Sequence, residues 1–403
     1  MSHQRIAIVG AGPVGLLCAL GLARRGVDCV VIERASAVAD SPRAIAHHWS
    51  TLPGLDELGI LDKCIARGFK KNDFALRVRK TGEDIRWTLD VLEGHAKFPF
   101  NVYLPQDRLG EVILEELAAY PGTQVLWNTD FTGLVQGDSN VTLSLHNAER
   151  GPFQMTVDWL VGADGARSAV RKAVDLEFEG FTWDQQFIAT NLRIDLGKHG
   201  YARSLLLVDN PDGAVLAMID NDNLWRCAYA EDAALPAEGV VERIHQRIPQ
   251  IIPEAAQGFQ LEHHSVYRVH QRHASRFRAG RVLLAGDAAH ATNPTGGFGL
   301  TTGFMDVFVL YEALAAVMAG EVQAGVLDTY AEDRKRVFTQ FTSPQATRMM
   351  KLVFQEEGLE EGLERFRQIA SSEAMRLKYS LFAGNLETPS VVTGRRHNPP
   401  VPA

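Results

Sequence analysis

The stretch "RIAIVGAGPVGLLCALGLARRGVDCVVIER", residues Arg5–Arg34, decides the fold. The apolar run "IAIV" predicts a short buried strand, "VGLLCALGLARR" predicts a helix closed by a glycine, and "CVVI" predicts a second strand. Gly10, Gly12 and Gly15 lie at the first turn with GxGxxG spacing, and Glu33 ends the second strand. This complete βαβ unit is typical of a dinucleotide-binding loop.

Each glycine of this loop has a physical task. Gly10 permits the tight turn, Gly12 allows backbone N–H groups to approach a pyrophosphate, and Gly15 permits close packing of helix on strand. The helix N-terminus adds partial positive charge, and Glu33 can accept hydrogen bonds from ribose hydroxyls. The predicted contacts of this unit are Gly10, Gly12, Pro13, Val14, Gly15, Glu33 and Arg34. A glycine-rich turn without a ligand is the alternative, and the unit alone does not choose between NAD, NADP and FAD.

A second glycine-rich segment, "GRVLLAGDAAHATNPTGGFGL" at Gly280–Leu300, makes that choice. Its apolar run predicts a strand, and Asp287 lies at the carboxyl end, where ligands bind in open α/β folds. A carboxylate there can accept a hydrogen bond from a ribityl hydroxyl. The glycines then leave backbone amides uncovered at the start of a helix predicted from about Leu300 to Ala319. Such a helix start stabilises negative charge on a reduced flavin ring, so FAD is the predicted cofactor.

A third segment, "VDWLVGADGARSAVRKAV", predicts a strand, a turn at Asp164 and Gly165, and a helix. Together the three segments resemble the fingerprints of class A single-component FAD-dependent aromatic hydroxylases, the para-hydroxybenzoate hydroxylase-like flavoprotein monooxygenases. The resemblance extends from about Arg5 to Arg336. It implies that Arg43 in "SPRA" contacts the FAD pyrophosphate region. It also implies that Gln106 in "LPQDRLGEVIL" contacts the ribityl chain or the adenosine side.

The resemblance assigns further cofactor contacts to Asp164 and to the second glycine-rich segment. In that segment they are Gly286, Asp287, Pro294, Gly297, Gly299, Leu300 and Thr301. The chain departs from the family pattern at three places: Asn293–Pro294 replaces two prolines, Phe298 replaces Gln or Lys, and Thr301 replaces Asn. These departures put the contacts with the flavin ring in question, while flavin binding itself is still expected.

The fingerprints are far apart in sequence, so the FAD domain must be discontinuous. We predict an α/β fold: a Rossmann-like FAD-binding domain of residues 1–75, 100–180 and 268–345. An inserted antiparallel β-sheet substrate domain comprises 76–99 and 181–267, because short apolar or alternating strands there are separated by Asn, Asp and Gly. Residues 346–403 are expected to form C-terminal helices and a tail.

The resemblance implies an NAD(P)H-dependent flavoprotein monooxygenase, with NADH or NADPH as a transient co-substrate. Reduced FAD and O2 would give a flavin hydroperoxide that hydroxylates a small activated aromatic: a phenol, a hydroxybenzoate or a hydroxypyridine. Two alternatives are an FAD-dependent reductase or halogenase of the same fold that does not hydroxylate an aromatic ring, and a non-catalytic nucleotide-binding module. The last gives no reason for Asp287 and the second set of glycines.

Because attack on the ring is electrophilic, a base that deprotonates a ring hydroxyl would help. His47 and His48 in "RAIAHHW" are the candidates, with slight preference for His47; packing on Trp49 or capping a helix is the alternative. Pro294 could offer its backbone carbonyl to a substrate hydroxyl. Candidates to bind an acidic or phenolic group are Tyr201, Arg203, Arg226 and Tyr229, although each by itself is more typical of an exposed strand residue.

Composition limits the other classes. The chain has 403 residues and formal charge −8, and it lacks long basic runs, which argues against a nucleic-acid partner. The cysteines form no CxxC pair, and the histidines show no ligand spacing, so no metal is expected. The sequence contains no uninterrupted apolar stretch of ~20 residues, so no membrane-spanning helix is expected. We therefore expect a cytoplasmic enzyme that acts on a small aromatic with O2, with a homodimer possible by resemblance.

Overall fold

The computed structural model describes residues 6–39, 44–209 and 213–399. In those ranges the strands are β1 Ile6–Val9, β2 Cys29–Ile32, β3 Ala46–His47, β4 Phe69–Lys71, β5 Asp73–Val78, β6 Glu83–Thr88, β7 Asn101–Tyr103, β8 Gln124–Leu126, β9 Thr129–Gln136, β10 Val141–Asn147, β11 Gly151–Val157, β12 Trp159–Gly162, β13 Phe178–Arg193, β14 Ser204–Val208, β15 Ala214–Met218, β16 Leu224–Asp232, β17 Gln260–Ala274, β18 Arg278–Ala279, β19 Val282–Leu284 and β20 His290–Ala291. The α-helices are α1 Pro13–Arg24, α2 Leu52–Glu57, α3 Leu61–Arg67, α4 Gln106–Leu117, α5 Ala169–Ala173, α6 Val240–Ile251, α7 Phe298–Ala319, α8 Val326–Val337, α9 Ser343–Phe354, α10 Leu359–Ser371 and α11 Glu373–Leu381.

A mostly parallel sheet forms the first half of the molecule, with the strand order β18-β19-β12-β1-β2-β8 among the described residues. Its central strands are continuous apolar runs that are buried along their whole length, as expected when helices cover both faces. Strand β1 pairs in parallel with β2 and β12, which places Ile6 opposite both Cys29 and Trp159. The three fingerprint segments therefore end at one edge of this sheet.

Helix α7 packs against α1 in the core of this half. It is apolar around most of its circumference, and it is long and apolar enough to cross a membrane by composition alone. However, 78% of its most apolar window is buried inside the molecule. A helix that is apolar all round is expected in a protein core, so the apolar composition of α7 is explained by its packing inside the molecule.

The second half is built on a larger sheet with the order β20-β17-β13-β16-β15-β14-β5-β6 in the described part of the chain. Its pairs are antiparallel except for β14 with β5, which run parallel. Helix α6 covers one face, where Cys227 and Tyr229 of β16 pack with Ile244 and Ile248. Because side chains alternate along a strand, Arg226 faces the opposite side, toward the first half of the molecule.

Two small sheets complete the structure, with the orders β11-β10-β9 and β3-β7-β4. The second of these lies between the two large sheets and carries His47 at the end of β3. Helices α9, α10 and α11 follow near the C-terminus and pack on β5, β6 and β14. The predicted fold class is confirmed: a parallel-sheet α/β half, an antiparallel sheet and C-terminal helices. The structure starts α1 at Pro13 and α7 at Phe298, one and two residues before the predicted starts.

Candidate active site

One large cavity of about 1410 Å³ lies between the two large sheets. Segments from all three fingerprints line it, although they are distant in sequence. The predicted cofactor contacts on its wall are Gly10, Gly12, Pro13, Val14, Glu33, Arg34, Gln106, Asp164, Asp287, Pro294, Gly297, Gly299 and Leu300. The first glycine loop and Asp287 thus share one continuous cleft. Arg43, which was predicted to contact the pyrophosphate, lies outside the described residues.

The glycines of the first loop separate into two kinds. A methyl group on Gly10 would lie 2.4 Å from the carbonyl oxygen of Ala163, and Gly10 also has a φ of +108°. On Gly15 a methyl group would lie 1.9 Å from the oxygen of Gly10. At Gly12 no atom lies within 4 Å of the same position, which faces the cavity. Gly10 and Gly15 are therefore needed for the fold, whereas Gly12 keeps space open for a ligand.

Glu33 joins the second strand to the glycine loop. Its Oε2 accepts a hydrogen bond from the Ala11 N–H at 2.8 Å, and its Oε1 accepts one from the Ala35 N–H at 2.9 Å. The carboxylate is half-buried at the cavity wall, so both oxygens keep a lone pair for a ligand hydroxyl. This placement fits the predicted contact with a ribose.

Asp164 caps the N-terminus of helix α5. Its Oδ2 accepts hydrogen bonds from Ala169 N at 2.7 Å and Val170 N at 3.1 Å, at the start of α5. Nearby, the buried guanidinium of Arg171 donates to Ala288 O at 2.9 Å, directly after Asp287. The third fingerprint therefore holds the second glycine segment in place as well as lining the cavity.

A buried charge network fixes the loop that carries Asp287. Asp306 of α7 accepts a hydrogen bond from Gly286 N at 2.9 Å, contacts His290 Nε2 at 2.7 Å, and accepts one from Arg334 Nε at 2.8 Å. Although burial acts to raise it, His290 and Arg334 hold the pKa of Asp306 below its ordinary value. His290 thus has a structural contact, and Gly286 is buried behind the cavity wall.

Gln271 fixes the next turn of the same segment. Its amide NH2 donates to Thr292 Oγ1 at 2.9 Å and to Ser343 Oγ at 2.8 Å, and its oxygen accepts from Asn293 Nδ2 at 3.1 Å. The Pro294 carbonyl accepts a hydrogen bond from Gly297 N at 3.0 Å, which closes a turn before α7. The loop is therefore held rigidly by side chains that the sequence motifs do not include.

Two predicted cofactor contacts besides Gly286 lie behind the cavity wall. Gly15 packs under the first loop, and Thr301 is buried with its Oγ1 3.4 Å from Gly297 O. Both shape the loops that line the cavity, so any contact they make with a cofactor is through those loops. Thr301 stands on the inner side of α7, where its neighbours are core residues.

The two adjacent histidines point in opposite directions, because successive residues of an extended segment alternate. His47 turns inward: its Nε2 donates to Leu104 O at 3.0 Å, its ring stacks on Phe304, and it does not line the cavity. His48 lines the cavity and stacks on Phe298 with ring centroids 5.3 Å apart. Of the two candidates, the structure therefore places His48 at the cavity, whereas the slightly preferred His47 lies behind its wall.

The environment also changes the acid–base character expected of these histidines. Burial lowers the pKa of His47 to about 4, although the hydrogen bond to Leu104 O acts to raise it. Burial, then the neighbouring His47, lowers the pKa of His48 to about 4, although a hydrogen bond to the Gly296 backbone acts in the opposite direction. The imidazole of His48 is therefore neutral at neutral pH and is able to accept a hydrogen bond, but it binds an added proton only weakly.

Of the four other substrate-binding candidates, only Arg226 lines the cavity, where its Nε donates to Asn191 Oδ1 at 2.8 Å. Burial lowers the pKa of Arg226 to about 10. Tyr229 lies on the opposite face of β16 under α6, and Tyr201 donates to Glu254 at 2.8 Å. Arg203 is paired with Asp73 at 2.7 Å. The structure places these three away from the cavity, which the sequence could not show without the strand register.

Sequence reasoning missed most of the side chains on the substrate side. An aromatic and aliphatic wall below the antiparallel sheet is interrupted by a few polar groups. Its members include Phe74, Trp87, Asn101, Tyr103, Ser204, Leu206, Val215, Ala217 and Ala228. The "NVY" of β7 directly before "LPQ" was the available signal, since it places Asn101 and Tyr103 on one face. Such a pocket suits a small ring with few polar substituents.

The described residues fit FAD. The open position beside Gly12, the helix start at Pro13 and the carboxylate of Glu33 suit the adenosine and phosphates. Asp287 and the uncovered backbone from Gly297 to Leu300 suit the ribityl chain and the ring. In the described part of the chain, no group of three or more His, Cys, Asp or Glu residues is arranged to hold a metal ion.

Comparison with known proteins supports FAD as the cofactor. A family described as FAD binding domain matches residues 3–344. The chain is 40% identical over 390 residues to a 6-hydroxy-3-succinoylpyridine 3-monooxygenase of Pseudomonas putida, covering 96% of this chain and 98% of the relative. It is 41% identical over 345 residues to a para-nitrophenol 4-monooxygenase of a Pseudomonas species, covering 85% of each. The crystal structure of p-nitrophenol 4-monooxygenase from Pseudomonas putida superimposes with a TM-score of 0.91 at 37% identity, over 95% of this chain and 98% of that chain.

Proposed function

From the premise that this chain belongs to the FAD binding domain family and is an FAD-dependent aromatic monooxygenase that uses NAD(P)H and O2, we propose a narrower substrate. It is a small phenol or hydroxypyridine that carries a substituent para to its ring hydroxyl, and oxygen is added at that substituted carbon. The observation that carries the proposal is the single cavity that connects the FAD-side loops to the aromatic pocket containing His48.

The names of the two relatives support the position of attack. In 6-hydroxy-3-succinoylpyridine, position 3 bears the succinoyl group and is para to the hydroxyl at position 6. In para-nitrophenol, position 4 bears the nitro group and is para to the phenolic hydroxyl. A ring hydroxyl activates its para carbon toward an electrophile, so one pocket architecture serves both rings. We propose that this chain shares that arrangement, with loss of the para substituent.

Bound FAD supplies the redox chemistry, by accepting hydride from NAD(P)H and activating O2. We propose that the cavity-lining glycines, Glu33 and Gln106 hold its nucleotide end. Asp287 and the loop from Pro294 to Leu300 hold the flavin end. The buried network around Asp306 and Gln271 keeps these loops fixed, so their N–H groups are already oriented before substrate binds.

On the substrate side we propose that His48 accepts a hydrogen bond from the ring hydroxyl. Its low pKa keeps the imidazole neutral and able to accept at working pH. Its stacking on Phe298 fixes the ring plane, since a stacked ring has little freedom to rotate. Apolar residues of the antiparallel sheet exclude water from the reacting ring. We further propose a cytoplasmic location, which the lack of a disulfide framework among the described residues favours, and a homodimer, which the resemblance implies.

A substrate panel tests the proposal. Purified protein should be yellow, and 4-nitrophenol or a 3-acyl-6-hydroxypyridine should increase NAD(P)H oxidation and release the para substituent. Ring isomers with the substituent meta to the hydroxyl should be poor substrates. NAD(P)H consumption that yields only hydrogen peroxide with every ring would contradict the proposal and favour an oxidase or reductase activity.

The role of His48 has its own test with a matched control. His48→Ala should lower kcat/KM for the best phenol by roughly 10²-fold, in the range for loss of a group that assists proton removal. His264→Ala, at an exposed position of β17, should leave kcat/KM unchanged. Equal rates in the His48 variant and the native enzyme would remove His48 from the proposed mechanism.

A further inference from the structure

We propose that Lys71 is a further residue of the substrate subsite: its buried side chain favours the bound ring in the ionised, phenolate form. This deepens the proposed function and rests on it, because it requires a ring hydroxyl in the cavity. None of the three fingerprints includes Lys71, and no other sequence motif indicated it.

The placement of Lys71 follows from strand register. In the sheet β3-β7-β4, Lys71 lies directly opposite Asn101. Residues directly opposite on neighbouring strands project from the same face of the sheet. Asn101 lines the cavity, and its Oδ1 accepts a hydrogen bond from Trp49 N at 2.9 Å. Lys71 therefore leaves the sheet on the cavity side, in one row with Asn101, with only 1% of its surface exposed.

The amine lies directly behind the aromatic wall of the cavity. Lys71 Nζ is 3.3 Å from the ring centroid of Phe74 and 5.2 Å from that of Tyr103, and both rings line the cavity. The amine also donates to the backbone oxygen of Asp73. The thickness of one aromatic ring therefore separates Nζ from a ligand in the pocket.

Among the described residues, the carboxylate whose charge acts on Lys71 is that of Asp73. The carboxylate of Asp73 is engaged by Arg203, with Oδ1 accepting from Nη2 at 2.7 Å and from Nε at 3.0 Å. A buried cation that shares its acidic neighbour with a second cation is costly. Accordingly, burial lowers the pKa of Lys71 well below its ordinary value; Asp73 opposes this shift and Arg203 adds to it. An anion in the cavity would offset that cost.

The other described titratable groups around Lys71 supply only one negative charge, which is shared. Burial raises the pKa of Tyr103 to about 12, so its hydroxyl stays neutral. His48 is neutral or positive, and Arg203 is a cation. Asp73 is the acid that these shifts involve. Burial acts to raise its pKa, but Lys71 and then Arg203 hold it below its ordinary value, so its charge is shared between the two cations. A phenolate would therefore supply a second negative charge beside the two cations Lys71 and Arg203.

The step is a net proton transfer. The substrate O–H bond breaks with its electron pair retained on oxygen, and the proton forms an N–H bond on the amine of Lys71, whose uncharged form burial favours before the ring binds. The proton passes through His48, whose pKa is lowered by burial, by His47 and also by the charge of Lys71. The total charge of the subsite does not change. The resulting phenolate is more electron-rich at its para carbon, and it faces an ammonium group in a medium of low dielectric constant, where opposite charges attract strongly.

Bound 4-nitrophenol tests the inference, because its phenol and phenolate absorb at different wavelengths. The FAD-containing enzyme is titrated with the probe in the absence of NAD(P)H, and difference spectra give the ionised fraction at each pH. The probe bound to the native enzyme should ionise about one to three pH units below the free probe, as expected beside an opposite charge. In Lys71→Met this shift should be lost. Lys70→Met, at the exposed neighbouring position, should retain it.

Two results would overturn the inference: a bound probe that is not preferentially ionised in the native enzyme, or an unchanged ionised fraction in Lys71→Met. Retained flavin absorbance shows that a variant is folded, and Lys71→Gln replaces Lys71→Met if the latter loses FAD. The proposed function fails separately, if no ring in the panel gives a hydroxylated product. A native enzyme that hydroxylates 4-nitrophenol but binds it un-ionised would contradict only the role of Lys71.

Discussion

Asn398 Nδ2 donates a hydrogen bond to the backbone oxygen of Ser50 at 2.7 Å, across 348 residues of sequence. The same amide donates to Glu387 Oε2 at 2.9 Å, and Trp49 Nε1 donates to Ser380 O at 2.9 Å. The C-terminal segment from Ser380 to Asn398 thus holds the turn that follows His48 through hydrogen bonds, and we call these bonds the C-terminal clamp. The position of His48 in the cavity therefore depends on residues at the far end of the chain.

Removing this clamp should loosen the turn. Asn398→Ala leaves the buried Ser50 carbonyl and the Glu387 carboxylate with fewer partners, at a cost of about 1–3 kcal/mol in the free energy of unfolding. We also expect a larger share of NAD(P)H oxidation to yield hydrogen peroxide, because His48 is less well positioned. Urea unfolding and the ratio of product to NAD(P)H consumed are the measurements. An unchanged ratio would show that the clamp serves stability alone.

The Asp306 network should be far more sensitive than an exposed ion pair. Asp306→Asn leaves Arg334 and His290 buried without their carboxylate, and breaking a buried pair costs about 3–5 kcal/mol. Asp333→Asn, which removes the exposed pair with Arg336, should cost about 1 kcal/mol or less. Thermal unfolding of both variants and their FAD content give the comparison. Equal effects of the two substitutions would contradict the structural importance of the network.

The first glycine loop offers a test that separates folding from cofactor binding. Gly12→Ala meets no atom in the protein, so the unfolding free energy of the apoprotein should change by about 0.5 kcal/mol or less. Its affinity for FAD should fall at least about tenfold, because the methyl group occupies the ligand's space. In contrast, Gly15→Ala clashes with Gly10 O and should destabilise the apoprotein. Unchanged FAD affinity in Gly12→Ala would exclude close approach of the cofactor there.

Acid should destabilise the protein through its buried histidines. The pKa of His47 is about 4 in the folded protein and near its ordinary value of 6.5 in the unfolded chain. Between these values only the unfolded chain binds the proton, so the free energy of unfolding falls as pH falls from 6.5 to 4. His47→Leu should reduce that slope, measured by urea unfolding at pH 7 and pH 5. His264→Leu at an exposed site is the control, and an equal slope in native protein and His47→Leu would contradict the buried, neutral state.

The sequence by itself determined the βαβ unit, the three fingerprints, the cofactor and the fold class. These features are local: each motif is a short continuous segment whose glycines, apolar periodicity and terminal carboxylate have physical tasks that neighbouring residues set. Their convergence on one cleft also followed, since the carboxyl ends of parallel strands meet at one edge of a sheet. The cavity that joins Gly12 to Asp287 agrees with this expectation.

Only the tertiary structure decided which of the two adjacent histidines faces the cavity. It also separated Arg226 from Tyr229 on β16, brought Asn398 to Ser50, and placed Lys71 behind Phe74 and Tyr103. The physical reason is that a shift of one residue in strand register reverses the direction of every side chain on the strand. Such registers, and contacts between distant segments, are set by packing of the whole chain, so a local sequence pattern does not contain them.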